Sequence, residues 1–425
     1  MPENRLLKST GVYFGANILN GLLPLLLLPV LTRVLSVESF GEVAIFQTAY
    51  IAFGALVGST IAESASRKFF DEGAARQLPD FIGSCIQVSI VLSLITSLII
   101  YTFYEQISEA LNIPPSYLFY SILIAFLLVI IQIRLGQWQV RNKSFAYGTL
   151  QVSQSALIVS LTVSYIILIQ PDAYGRVLSQ LIVCITLALF SIFLLKKDGL
   201  FNLFQFNPSH IRESLTFGLP LIPHVAGVFL LSMIDRFIIA GELGIAQSGI
   251  YMLAAQLATL VSIGHESLNR AFVPWLFDKL QKNRWSDKVL IVKLTYLWIF
   301  TILLTAPIFF IIGPYVVVLV AGPEYASAGK VFGWLALGHS FGGMYAMLNG
   351  YIYFSKRTFS LSGITIASGA INVVLLILLI PKFGIEGAGI AFSISMFFRF
   401  ILTWFAASIR HPMPWTSFLS GETKA

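Results

Sequence analysis

The chain contains about twelve stretches of roughly 20 or more mostly apolar residues, separated by short polar connections. A helix needs about 20 such residues to cross the hydrocarbon core of a bilayer, where the backbone must satisfy its own hydrogen bonds. The pattern therefore predicts an all-α integral membrane protein with about twelve transmembrane helices. We place the spans near residues 11–35, 40–62, 81–104, 116–135, 150–169, 175–195, 214–240, 246–266, 289–312, 328–353, 359–380 and 385–408.

The composition agrees with lipid as the main solvent. Of the 425 residues, 57% are hydrophobic and only 11% are charged, against about 25% charged residues in soluble domains. The net charge of +7 does not indicate a nucleic-acid partner, because the basic residues fall in clusters between apolar segments. Cys85 and Cys184 lie inside apolar runs without a metal-ligand or redox spacing, so we predict that each is a small core residue. We predict neither a metal nor a cofactor.

Basic residues alternate between a rich and a sparse set of connections. Positive residues remain on the cytoplasmic side of a membrane. The rich set includes both ends of the chain, so we predict that both termini are cytoplasmic. The sparse set holds Arg33, Arg176, Arg236, Lys330 and Lys382. The rich set holds Arg5, Lys8, Arg67, Lys68, Arg76, Arg134, Arg141, Lys143, Lys196, Lys197, Arg212, Arg270, Lys279, Lys282, Arg284, Lys288, Lys293, Lys356, Arg357, Arg410 and Lys424.

The chain shows signs of an internal duplication. The link from Leu35 to Gly41 recurs as Leu243 to Gly249, with leucine and glycine in register. We predict two six-helix halves, residues 1–205 and 206–425. Because both halves begin on the cytoplasmic side, they are parallel repeats related by an axis along the membrane normal. Substrate is expected to bind between them.

The first span of each half carries a pair of prolines: Pro24 and Pro29 in the first half, Pro220 and Pro223 in the second. Proline frees a carbonyl and lets a helix bend, and interrupted spans at matched positions point to a transport site. These four residues are therefore candidate helix kinks. The alternative is that proline is simply common in membrane helices.

Several short motifs, spread along the whole chain, resemble one known family. The order and spacing of these motifs are similar to the polysaccharide transporter branch of the multidrug/oligosaccharidyl-lipid/polysaccharide flippase superfamily. The motifs are Thr32 to Leu35 with Phe40-Gly41, Asp235-Arg236-Phe237 with Gly249-Ile250-Tyr251, Gly322 to Tyr325, and Asn372 to Leu375 with Pro381 to Ala388.

The resemblance implies two pseudo-symmetric six-helix bundles around a cavity that opens alternately to each side of the bacterial inner membrane. It implies a flippase, not an enzyme, which moves undecaprenyl-diphosphate-linked oligosaccharide repeat units outward for O-antigen, capsule or exopolysaccharide assembly. The implied partners are that lipid-linked glycan and the bilayer, with polysaccharide polymerase and ligase machinery as further candidates.

Charged residues inside spans need a partner or a wet cavity, because a charge at the bilayer centre costs about 2.5–3.5 kcal/mol. Asp235 and Arg236 are adjacent in span seven, about 100° apart around a helix, so we expect that they do not pair with each other. Arg236 either faces the cavity and attracts diphosphate, with Asp235 paired across the bundle, or both side chains reach the outer surface.

Acid–base pairs at a spacing of four mark the inner ends of spans two and eight: Glu63 with Arg67, and Glu266 with Arg270. Arg67, Lys68 and Arg270 are candidates for a basic inner mouth that recruits a diphosphate. The alternative is ordinary positive-inside anchoring.

Three further features of the spans are candidates for a role in transport, either by contacting the cargo or by relaying protons. Arg399 lies in the inner half of the last span without an acidic neighbour in sequence. It either lines the cavity, which we favour, or extends toward the inner membrane surface. Asn17 is the best candidate among the intramembrane amides for binding sugar hydroxyls, although such groups also join helices. His224, His265 and His339 could relay protons, although packing is the commoner role.

The same architecture also fits other functions. A drug or cation antiporter of the same superfamily should keep carboxylates deep in the bundle, whereas Glu42, Glu63, Asp235, Glu266 and Glu386 all lie near the ends of spans. A membrane glycan polymerase is expected to have a large extramembrane loop or a carboxylate cluster. We find neither feature, nor a phosphate-binding glycine-rich loop with lysine.

Overall fold

The computed structural model describes residues 3–355, 359–410 and 412–415. Lys356, Arg357 and Lys424, which contribute to the predicted orientation, lie outside the described residues. Within the described residues there are fifteen α-helices and two 3-10 helices, Leu219–Leu221 and Pro323–Tyr325. The α-helices are α1 (Glu3–Val34), α2 (Val37–Val57), α3 (Ser59–Lys68), α4 (Ala74–Leu111), α5 (Pro115–Val140), α6 (Ser144–Leu168), α7 (Ala173–Lys197), α8 (Pro208–Gly218), α9 (Ile222–Ser232), α10 (Asp235–Leu243), α11 (Ile245–Lys282), α12 (Trp285–Ala321), α13 (Ala328–Phe354), α14 (Phe359–Phe383) and α15 (Ile385–Arg410).

The helices confirm the predicted all-α membrane fold. Over the described ranges, eleven helical segments are long and apolar enough to cross a membrane. The span predicted at 328–353 is also a helix, α13, but it is not one of the eleven. Its glycines and its polar His339, Ser340 and Asn349 make it less apolar than its neighbours.

Two predicted spans are interrupted rather than continuous. The span predicted at 40–62 breaks at Gly58, whose φ of +111° ends α2 and precedes α3. The span predicted at 214–240 consists of α8, a 3-10 turn, α9 and α10. Hydropathy alone did not show these breaks, because it measures the apolar length and not the backbone path.

The four candidate kink prolines behave differently in the two halves. Pro220 lies in the 3-10 turn that separates α8 from α9, and Pro223 is the second residue of α9, where proline is well tolerated. Pro24 and Pro29 instead lie inside α1, which continues through both. The interruption predicted for both first spans is therefore seen at Pro220, whereas the backbone of α1 remains helical.

The chain forms two compact units by packing: residues 1–226 with 244–249, and residues 227–243 with 250–425. In the first unit, α5 is central and packs against α2, α3, α4 and α7. In the second unit, α13 packs against α12 and α15, and α14 packs on α15. The predicted division at residue 205 concerns the duplication in the sequence, and it stays a prediction.

Two glycines of the duplicated links meet inside the first unit. A Cβ on Gly249 would lie 2.8 Å from the amide nitrogen of Gly41, and one on Gly41 would lie 2.1 Å from the carbonyl oxygen of Ile245. Close backbone approach of this kind requires glycine, as is common where membrane helices pack. The repeated glycine is therefore a packing requirement of the fold.

Candidate functional site

A polar cavity lies inside the second unit, among α11, α13 and α15. It encloses about 350 Å³. The three helices present one face each, because the lining residues recur at spacings of three or four. The lining residues are Ser262, His265, Glu266, Asn269 and Val273 of α11, His339, Gly342, Gly343, Tyr345, Ala346, Asn349, Gly350 and Tyr353 of α13, and Met396 and Arg399 of α15.

Glycines on α13 make room for the cavity wall. A Cβ on Gly343 would lie 2.7 Å from Cγ of His265, and one on Gly342 would lie 2.8 Å from Cε of Met396. A larger residue at position 343 would therefore displace the His265 ring. That ring also packs edge-on against Trp298, with 5.8 Å between the ring centroids.

Arg399 supplies the positive charge of the cavity. Its Nη2 donates hydrogen bonds to the hydroxyl of Tyr345 at 2.9 Å and to Oγ1 of Thr365 at 3.2 Å. The guanidinium carbon lies 3.9 Å from the centroid of the Tyr345 ring, a cation–π contact worth about 0.5–2 kcal/mol. No carboxylate of the described residues lies within 4 Å of this guanidinium. The charge is therefore held by neutral groups.

Arg399 and three other lining side chains have donors or acceptors that are not used in hydrogen bonds. Nε of Arg399, Nε2 of His265 and the Oδ1 atoms of Asn269 and Asn349 are buried without a hydrogen-bond partner in the described part of the chain. Buried polar groups are normally satisfied. A ligand with several oxygens is suited to this set, because it offers acceptors to Arg399 and hydroxyl donors to the asparagines.

Glu266 is the carboxylate of the cavity wall, and it pairs with Arg270. Their side chains form the i,i+4 ion pair expected from the sequence, with Nη2 of Arg270 2.6 Å from Oε1 of Glu266. Both side chains are exposed, so the pair contributes little to stability.

The matching pair predicted in the first half, Glu63 with Arg67, is not formed, although both residues are described. The guanidinium carbon of Arg67 instead lies over the Phe217 ring, 5.6 Å from its centroid.

Asp235 and Arg236 pair with each other, so the expectation that they do not is wrong. Nη1 of Arg236 lies 2.8 Å from Oδ1 of Asp235 and donates to the carbonyl of Ser232 at 2.6 Å. The helical-wheel argument failed because the helix is interrupted: α9 ends at Ser232 and α10 begins at Asp235. The long arginine side chain folds back over this break.

The Asp235–Arg236 pair is buried rather than exposed to a cavity or to the outer surface. Asp235 is 2% exposed and Arg236 is 8% exposed. Oδ2 of Asp235 also accepts a hydrogen bond of 2.5 Å from the Tyr251 hydroxyl. In this structure the pair joins α10 to α11 within the second unit, and neither side chain lines the Arg399 cavity.

Lys68 is likewise buried and paired, inside the first unit. Its Nζ lies 2.9 Å from both carboxylate oxygens of Glu213 and 3.4 Å from Asp71. Burial lowers the pKa of Lys68, but the hydrogen bonds and charges of Glu213 and Asp71 outweigh it and raise this pKa above its usual value. The candidate mouth residue therefore fastens α3 to α8.

Asn17 joins two helices of the first unit. Its Oδ1 accepts a hydrogen bond of 3.2 Å from Nε2 of Gln151, which connects α1 to α6. A turn further along, Oδ1 of Asn20 accepts a hydrogen bond from Ser155 at 2.5 Å.

Of the candidate binding residues, Arg399 is the one that the structure places in the wall of the polar cavity, together with His265 and His339.

The sequence reasoning did not identify Asn269, Asn349, Tyr345 or Tyr353 as cavity residues. A signal for two of them, Asn349 and Tyr353, was present in α13: positions 339, 342, 346, 349 and 353 are small or polar residues at helical spacing. Such a stripe also forms wherever membrane helices pack closely, so spacing alone does not separate a cavity wall from a helix contact.

Comparison with known families identifies the chain. A family model described as "Polysaccharide biosynthesis protein" matches residues 6–280. The chain belongs to this family. The chain is also 28% identical, over 398 residues, to "Lsg locus putative protein 1" of Haemophilus influenzae, and the match covers 90% of this chain and 95% of that relative.

Two solved structures share the fold of this chain. One is an inward-facing multidrug resistance MATE family transporter of the MOP superfamily, with a TM-score of 0.72, 15% identity and coverage of 95% of this chain and 96% of that one. The other is the lipid II flippase MurJ in an inward closed conformation, with a TM-score of 0.71, 14% identity and coverage of 97% and 89%. At these identities the likeness shows the fold, which confirms the predicted architecture.

Proposed function

We propose that this protein is a flippase that moves undecaprenyl-diphosphate-linked oligosaccharide repeat units from the cytoplasmic to the outer leaflet of the inner membrane. The polymer is O-antigen, capsule or exopolysaccharide, and transport is by alternating access of the predicted halves, residues 1–205 and 206–425. Membership of the polysaccharide biosynthesis family and the multi-pass fold support this proposal. Both termini lie in the cytoplasm, and the polymerase and ligase machinery act on the exported unit.

The observation that carries the proposal is the charge of the cavity. Arg399 is held there by Tyr345 and Thr365, without a carboxylate of the described residues within ion-pair distance. A cation kept unneutralised inside a membrane protein is costly, and it marks an anionic ligand or pathway. A diphosphate or an acidic sugar meets that need through charge-assisted hydrogen bonds.

The competing proposal is a drug or cation antiporter with the same architecture. Cationic cargo needs an available carboxylate. In the second unit, however, Asp235 is occupied by Arg236 and Tyr251, and Glu266 by Arg270. The charge arrangement of the second unit therefore favours an anionic cargo.

The experiment that tests the proposal is deletion of the gene, followed by mass spectrometry of undecaprenyl-linked oligosaccharides and measurement of surface polymer. We expect lipid-linked repeat units to accumulate and surface polymer to be lost, with rescue by the wild-type gene. Arg399→Gln is expected to rescue less than about a tenth of wild-type polymer, since a charge-assisted hydrogen bond contributes about 1.5–3 kcal/mol. Arg399→Lys should rescue partly, because it retains the charge without the forked donors.

The matched control is Arg76→Gln, which removes an exposed arginine in the first turn of α4. This variant should rescue fully at equal protein level. Unchanged lipid-linked pools in the deletion strain, accompanied by new sensitivity to cationic drugs, would reject the flippase and support the antiporter.

A further inference from the structure

A long apolar groove lies beside the polar cavity in the second unit. It encloses about 560 Å³ between α11 and α12, with Phe332 of α13 at its base. Apart from His265, its polar side chains are Thr301 and Thr305, and both hydroxyls donate to carbonyls of their own helix. The lining residues are Leu257, Leu260, Val261, Gly264, His265, Leu268, Trp298, Thr301, Ile302, Thr305, Phe309, Ile312, Val316 and Phe332.

Part of the groove is recessed relative to the rest of the apolar surface of α12. Leu297, Leu304 and Ile311 are on this helix but do not line the groove, and they are among its most exposed side chains. Ile302 of the groove is only 2% exposed. Leu260 and Leu268 of α11 and Ile312 of α12, which also line the groove, are 38–54% exposed. Because the groove has walls on two helices, a hydrocarbon chain lying in it contacts both, and dispersion contacts accumulate.

His265 lines both the groove and the polar cavity. Its ring packs against Trp298 on the groove side and beneath Gly343 on the cavity side. Its Nε2 is buried without a hydrogen-bond partner among the described residues. His265 thus lies between an apolar surface and the cavity that contains Arg399. A lipid phosphate has the same arrangement, with an apolar chain on one side and an anionic group on the other.

We propose that this groove holds the polyprenyl chain of an anionic lipid whose diphosphate enters the Arg399 cavity, with His265 at the junction. The inference rests on the proposed function, because it takes the cargo to be lipid-linked. The occupant is a lipid with an anionic headgroup because His265 lines both sites, so a chain in the groove ends beside the cavity that would hold its own diphosphate. Bulk lipid tails are as apolar as the groove, so selectivity comes from packing and from the anchored headgroup.

The test uses the full-length protein in nanodiscs of phosphatidylethanolamine and phosphatidylglycerol, with a polyprenyl diphosphate that carries a diazirine in its chain. A phosphatidylglycerol with a diazirine in one acyl chain is the reference probe. After illumination, adducts are located by mass spectrometry. We expect the polyprenyl probe to label residues of the groove on α11 and α12, and unlabelled undecaprenyl diphosphate to compete.

Two matched substitutions on α12 test the location. Thr305→Trp fills the groove and should reduce polyprenyl labelling there by about threefold to tenfold, the scale set by lost packing contacts. Leu304→Trp places the same side chain one residue away, outside the groove, and should leave labelling unchanged. Arg399→Gln should also reduce groove labelling, because it weakens the anchor of the headgroup.

Three results would overturn the inference. The first is polyprenyl labelling spread over exposed residues such as Leu304 and Ile311 in the pattern of the phosphatidylglycerol probe. The second is undiminished groove labelling in Thr305→Trp or Arg399→Gln. The third is a lack of competition by undecaprenyl diphosphate. If lipid-linked units still accumulate in the deletion strain, the flippase function stands and only the groove is rejected; if they do not, the proposed function fails as well.

Discussion

Arg399 and Tyr345 meet in two ways: the guanidinium carbon lies 3.9 Å from the ring centroid, and Nη2 donates a 2.9 Å hydrogen bond to the hydroxyl of the same tyrosine. The tyrosine thus fixes the orientation of the arginine without neutralising it. A carboxylate at this position would satisfy the guanidinium and leave no net charge for a cargo. Tyr345 therefore positions the Arg399 guanidinium so that its charge remains available to bind an oxyanion of the cargo.

The two contacts of Tyr345 can be separated by substitution. Tyr345→Phe removes the hydroxyl but keeps the ring, and Nη2 keeps Thr365 as a partner, so we expect most surface polymer to be retained. Tyr345→Leu removes the cation–π contact as well, with a loss of about 0.5–2 kcal/mol, and should rescue the deletion strain clearly less well. Equal rescue by both variants, at matched protein levels, would show that the ring does not orient Arg399.

The Asp235–Arg236 pair is predicted to act on stability. Asp235→Asn neutralises the carboxylate that pairs with a buried arginine, and the expected cost is about 3 kcal/mol. The thermal midpoint of the purified protein should therefore fall. The double variant Asp235→Asn with Arg236→Gln removes both charges and should be more stable than Asp235→Asn alone. Additive losses in the double variant would contradict direct pairing.

Gly343 is predicted to control the position of His265. In Gly343→Ala the added methyl group would lie 2.7 Å from Cγ of His265, so the ring must shift and we expect reduced surface polymer in the complemented strain. Gly363→Ala on α14 is the matched control, because a Cβ there meets nothing within 4 Å. Full activity of Gly343→Ala would show that the cavity wall tolerates the shift and that His265 need not hold this position.

Asp198 is predicted to make part of the stability of the first unit dependent on pH. Its Oδ2 lies 2.7 Å from Nη2 of Arg134, a residue only 2% exposed. Burial raises the pKa of Asp198, but the hydrogen bond and charge of Arg134 outweigh it, and the pKa lies below its usual value. The stabilisation is therefore complete above the unfolded-state pKa of about 3.9 and is lost as pH falls through the folded-state pKa.

Asp198→Asn should accordingly cost about 1–3 kcal/mol at pH 7, because it replaces the charged acceptor of the buried Nη2 of Arg134 with a neutral one. The difference in thermal midpoint between wild type and Asp198→Asn should shrink as pH falls below about 4. A difference that stays constant from pH 7 to pH 3 would mean that the ion pair contributes nothing to stability.

Parts of the candidate site were visible in the sequence and parts were not. Arg399 could be identified as a candidate because a charge inside an apolar run is costly wherever the helix packs. Its partners could not be, because Tyr345 and Thr365 lie on other helices, 54 and 34 residues away. Lys68 and Arg236 carry the same charge, yet the structure places both in buried ion pairs.

The sequence by itself determined the class of fold and the approximate position of each span. A run of about 20 apolar residues has only one stable way to satisfy its backbone in lipid, so length and hydropathy are sufficient. The tertiary structure decided which charges are neutralised, where spans are interrupted and which polar residues share a cavity. Those properties depend on distances between helices, and Lys68 meets Glu213 across 145 residues only because α3 packs against α8.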